Sequence, residues 1–123
     1  MNLDPLREKL IDAMHSNLDA QEFFIGNLND PLMLLQLCVV CAPYDKYSND
    51  TRMEASYYVS KYSAELLVGV LPLLVSLLTP SNEEDMNGNI ACHLIRAIEK
   101  AKHLSKGTVY LDLAKLKEEY GCL

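Results

Sequence analysis

Residues 63–78, SAELLVGVLPLLVSLL, decide how this chain folds. From Leu66 to Leu78 the run is apolar for 13 residues, broken only by Gly69, Pro72 and Ser76. A membrane-crossing helix needs roughly 20 apolar residues. The segment therefore reads as a helix buried in a protein core, capped by Ser63 and kinked or split at Pro72. Downstream, Thr79-Pro80-Ser81-Asn82 is a turn, and Ser81 with Glu84 has the spacing of a capping box. The helix it introduces carries Ile90, Leu94, Ile95 and Ile98 at helical spacing, with Lys100, Lys102 and His103 where the helix dipole favours cations. A last amphipathic helix, Thr108 to Tyr120, is expected to bury Leu111, Leu113, Ala114 and Leu116.

Upstream the same signals recur. Asp4-Pro5 and Asp30-Pro31 each place a capping acid before a proline in the first helical turn, where the missing N–H costs nothing. The first opens a helix bearing Leu6, Leu10, Ile11 and Met14, and the second opens an apolar helix that Ala42-Pro43 ends. Asp19 is a further cap, ahead of a short helix with Phe23, Phe24 and Leu28 as its apolar face. Residues 44–50, YDKYSND, read as a loop, and Thr51 to Tyr62 as a helix with Met53, Tyr58, Val59 and Tyr62 to pack. Strand signals are nearly absent, so the class is all-α. At 123 residues, 50% hydrophobic and 23% charged, the chain can build one core without staples, and a single domain over 1–123 follows. The start carries neither a basic nor an apolar leader segment, so no secretory signal is expected. Four cysteines in so apolar a chain fit reduced thiols and a cytoplasmic setting.

Self-similarity appears at a spacing of 36 residues, where Ala55, Val59 and Tyr62 align with Ala91, Ile95 and Ile98. A small residue followed by bulky ones lets two helices approach closely and fills the layer behind. The stretch from Val70 through LPLLVSLL and the polar turn to Ala91-Cys92-His93-Leu94-Ile95 resembles an armadillo or HEAT repeat, over about residues 51–103. That resemblance implies a right-handed helical array with repeat packing and terminal caps. The Trp and Asn with which peptide-binding armadillo proteins clamp their ligands fall on Tyr57 and Lys61 in one repeat and on His93 and Ala97 in the next. The clamp is thus absent. The concave geometry carries over, making Tyr57, Lys61, His93 and Arg96 candidate surface residues.

Motifs for chemistry are sparse. Cys38-Val39-Val40-Cys41 has metal or redox spacing, but it ends an apolar helix, where the dipole opposes a thiolate. Buried structural thiols are the expectation, and neither metal nor cofactor. His15, His93 and His103 lie on separate helices, and no nucleophile elbow, phosphate loop or HExxH occurs. No enzyme activity is expected.

The net charge of −6 disfavours direct nucleic-acid binding and favours a basic partner. Residues 1–62 hold nine acidic and five basic side chains, and five of the seven tyrosines lie between Tyr44 and Tyr62. Tyrosines anchor interfaces while carboxylates steer association. The competing reading takes Tyr58 and Tyr62 as core and the acids as a solvated face. Size, acidity and lack of chemistry are similar to small bacterial immunity proteins, which neutralise a cognate toxin by tight binding. That likeness implies a protein partner, a basic toxin such as a nuclease, contacted by Tyr44, Asp45, Tyr47, Asp50, Glu54 and Tyr57. The alternative is an adaptor holding a peptide or helix through Tyr57, Lys61, His93 and Arg96. A third reading is a metal or small-molecule sensor built on Cys38, Cys41 and Cys92. A homodimer through a leftover apolar face stays open, and membrane binding is not expected.

Overall fold

Asp30 shows how sequence becomes structure here. Its carboxylate accepts from the backbone N–H groups of Leu32 (3.0 Å) and Met33 (3.3 Å), and Pro31 fills the adjoining position. Two otherwise orphaned donors are satisfied, and helix α3 starts where the sequence places it. The computed structural model describes residues 4–15, 20–42, 46–78, 88–105 and 112–122. These form α1 (Asp4–His15), α2 (Ala20–Ile25), α3 (Pro31–Cys41), α4 (Asn49–Lys61), α5 (Ala64–Val68), α6 (Leu71–Leu77), α7 (Gly88–Lys102) and α8 (Leu113–Tyr120). The class is all-α, with no strand among the described residues. Nor is any helix among them long and apolar enough to cross a membrane.

The decisive apolar run is two helices rather than one. Ser63 caps α5, its hydroxyl accepting from Leu66 N–H, and the break falls at Gly69-Val70. Pro72 then sits in the first turn of α6, where it needs no hydrogen-bond partner. Helix α3 is buried nearly all round, with Met33, Leu34, Leu37, Cys38, Val40 and Cys41 in the core. Helix α1 is tied to it where Arg7 Nε donates to the buried Gln36 Oε1 at 2.9 Å. Helix α2 is held by Phe24, stacked on Tyr58 of α4 at 4.3 Å.

The most extensive helix pair is α4 with α7. The Tyr57 ring meets His93, and further along Lys100 Nζ donates to the carbonyls of Ser60 (2.7 Å) and Tyr62 (2.8 Å). Residue numbers rise together along both helices, so the two run parallel. Their shared layer is Ala55, Val59 and Tyr62 with Ala91, Ile95 and Ile98, all fully buried. This arrangement is compatible with a helical-repeat fold. Lys100 also satisfies carbonyls at the end of α4, a favourable place for a cation. Burial, followed by the charge of Lys61, lowers its pKa.

Several expectations are corrected. Helix α4 begins at Asn49, two residues early, because Ser48 acts as its cap and accepts from Thr51 N–H. Asp4 lies inside α1 and pairs with Arg7 at 3.0 Å. Ala114 is exposed; α8 buries Leu113 and Leu116 only, and Asp112 caps it. Asp19, the 79–84 turn and cap, and Leu111 lie outside the described residues. The largest correction concerns the cysteines. Cys92 and Cys122 form a disulfide, so only Cys38 and Cys41 are free thiols.

Candidate partner-binding face

Helix α4 carries Asp50, Met53, Glu54, Tyr57 and Lys61 at spacings of three and four, which sets them along one side of the helix. Its other side faces the core through Ala55, Ser56, Tyr58 and Val59. Because α7 runs parallel at that boundary, His93 joins the row. Asp50, Met53, Glu54, Tyr57, Tyr58 and His93 line an open depression of about 410 Å³. The structure thus brings together residues from both functional readings of the sequence. Tyr47 instead lines a separate depression, with Lys46 and the α1 residues Asp4, Arg7, Glu8, Ile11 and Asp12. Tyr44 and Asp45 lie outside the described residues.

A chain of contacts extends from the depression toward the end of α4. The Tyr57 and His93 rings meet edge to face, with centroids 5.6 Å apart, and Lys61 Nζ sits 5.0 Å from the Tyr57 centroid. Arg96 Nη1 lies 3.1 Å from His93 Nδ1. Arginine can only donate, so this nitrogen accepts and the ring is neutral in that contact. Protonation would break the bond and bring two cations together. Accordingly the His93 pKa is lowered, by burial first and then by Arg96 and Lys61.

The acidic side has its own coupling. Tyr58 Oη donates to Glu54 Oε1 across a long 3.4 Å contact. Burial raises the Glu54 carboxyl pKa, while the Tyr58 bond and nearby His15 pull it back. Tyr58 is pushed up to about 12, by burial first and then by the Glu54 charge. His15 Nε2 shares a hydrogen bond with Thr51 Oγ1 at 3.1 Å, fastening the end of α1 beside the acidic rim. Tyr58 is thus both core and rim, a dual role the sequence reading treated as alternatives.

Elsewhere the chemistry is closed off. Cys38 and Cys41 are fully buried. Burial drives the Cys38 thiol to about 12 and raises Cys41 well above its ordinary range, so neither supplies a thiolate. The disulfide removes Cys92 from the proposed sensor trio. Among the described residues, no three His, Cys, Asp or Glu side chains group closely enough to hold a metal ion.

Comparison with known proteins gives no relative. No family model matches the sequence, and neither curated proteins nor solved structures yield a match. The all-helical architecture of the described residues is compatible with a helical-repeat fold and goes no further.

His93 provides a direct check on this geometry. Followed by NMR, its titration midpoint should fall below the ordinary 6.5, and Arg96→Gln should move it upward. A depressed value in the folded state means that the neutral ring stabilises the fold above 6.5, and this contribution is lost as pH falls through the folded midpoint. A midpoint at or above 6.5 would contradict the described contacts.

Proposed function

We propose that this chain is a protein-binding module that receives a basic partner on the α4–α7 face, acting in its sharpest form as an immunity-type inhibitor that occludes a toxin. The observation carrying this reading is the convergence of Asp50, Glu54, Tyr57, Tyr58 and His93 on one open depression. The half-buried Tyr57 ring offers contact area at low entropic cost, and the carboxylates of Asp50 and Glu54 on the same depression suit a lysine or arginine of the partner. The net charge of −6 steers a basic protein toward the chain, and the local carboxylates set its register.

Affinity capture at low and high salt identifies the partner, and the double reversal Asp50→Lys/Glu54→Lys tests the face. The variant should bind at least roughly tenfold more weakly, with a flatter salt dependence, since close interfacial charge pairs couple by more than 1 kcal/mol. Unchanged affinity would remove this face from the reading. One observation favours the adaptor alternative: Tyr57, Lys61, His93 and Arg96 form a connected row beside the depression. A peptide ligand would be weakened by Tyr57→Ala and would show little response to salt.

A further inference from the structure

The two cysteine pairs sit in opposite chemical settings. Cys38 and Cys41 are fully buried with thiols held protonated. The Cys92–Cys122 disulfide instead borders a surface depression of about 260 Å³, lined also by Asn89, His93, Arg96 and Gly121. Both residues line that depression, and they differ in burial. Cys92 is only 9% exposed, in the body of α7, whereas Cys122 is half-buried on the segment after α8.

The way Cys122 reaches its partner is built into the sequence. Gly121 has φ 71°, a left-handed conformation that glycine adopts without penalty. Gly121 N–H bonds to Glu118 O at 3.3 Å and Cys122 N–H to Lys117 O at 2.7 Å. This pair of bonds is the Schellman turn, which folds the chain back at the helix end. Other contacts also fasten α8, among them Tyr120 packed against the core. The buried residues of the helix are Leu113 and Leu116, and Lys117 pairs with Glu99 at 2.7 Å.

We propose that Cys92–Cys122 is a thiol-exchange site, opened by a small peptide thiol that attacks Cys122 Sγ and expels Cys92 as a thiolate beside Arg96. Arg96 stands one helical turn beyond Cys92 and lines the same depression, so its cation favours the departing anion. In the first step the incoming thiolate forms a bond to Cys122 Sγ, and the electron pair of the Cys92–Cys122 bond leaves on Cys92. A second thiol then attacks the mixed disulfide. Two small thiols end as one oxidised disulfide, and their protons end on Cys92 and Cys122. Opening releases the end of α8 from α7 next to His93, which lines both depressions. The site is independent of the proposed partner.

The full chain is incubated without denaturant in graded mixtures of reduced and oxidised glutathione, quenched with iodoacetamide and mapped by mass spectrometry. The expected products are alkylated Cys92 and Cys122, with Cys38 and Cys41 unlabelled. At limiting reduction a glutathione adduct should appear on Cys122. Arg96→Gln should slow the exchange several-fold while leaving the thermal midpoint nearly unchanged. Labelling of all four cysteines in step would show that the bond opens only by global unfolding and would overturn the proposal. So would an adduct on Cys92, a bond that resists glutathione until denaturant is added, or an exchange rate indifferent to Arg96.

Discussion

Replacing Arg52 with alanine is expected to lower the unfolding free energy by about 3 kcal/mol, a drop in melting temperature of roughly 12 °C for a chain of this size. Arg52 is 5% exposed, in the first turns of α4, and its guanidinium works on the end of α3. Nε and Nη2 both donate to the Cys41 carbonyl, at 3.3 and 3.2 Å, and Nη1 donates to Asn49 Oδ1 at 3.1 Å. Cys41 is the last residue of α3, so its carbonyl has no partner within the helix and lies at the negative end of the dipole. Alanine leaves that acceptor buried and dry, and it also removes the aliphatic stem packed behind it. Arg52→Met keeps most of the volume, so its expected cost of about 2 kcal/mol isolates the unsatisfied carbonyl. Urea unfolding of the three proteins measures both quantities. A loss under 1 kcal/mol for the alanine variant would mean that water reaches Cys41 O once the guanidinium is gone.

Arg52 also marks the limit of what the sequence made legible. Helix starts were readable wherever one side chain acts on nearby backbone, as Asp30 and Ser63 do. The core faces of α4 and α7 were readable because apolar spacing is local information. By contrast, a charged residue one turn into a helix reads as solvated, and only its placement against the end of α3 shows otherwise. Lys100 is the same case, because its acceptors lie 38 and 40 residues away. The disulfide was missed for a related reason. A core that needs no staple points to free thiols, whereas the Gly121 turn that directs Cys122 toward α7 is a backbone property. The candidate face was partly legible: i, i+3 and i+4 spacing groups Asp50, Glu54, Tyr57 and Lys61. Placing His93 among them required the aligned repeat, and separating Tyr47 from them required the fold.

The buried layer between α4 and α7 carries the second large effect, Ile95→Ala, expected to cost about 3–4 kcal/mol. Ile95 is fully buried, as are Val59, its counterpart on α4, and Ala55 and Ala91 one turn earlier. The alanines bring α4 and α7 close, and the branched side chains fill the layer that this approach creates. Truncation there leaves a cavity whose cost depends on whether the two helices can close over it. They are pinned at both ends of the contact, by the Tyr57–His93 ring pair and by Lys100 on the Ser60 and Tyr62 carbonyls. The gap therefore stays open, and the loss falls in the upper part of the usual range. Val59→Ala removes a smaller side chain from the same layer and should cost less, about 2 kcal/mol, while Ile95→Val should cost about 1 kcal/mol. Denaturant midpoints for the three variants give the order. If Ile95→Ala costs no more than Ile95→Val, the helices collapse over the gap, and the pinning of α4 against α7 fails with it.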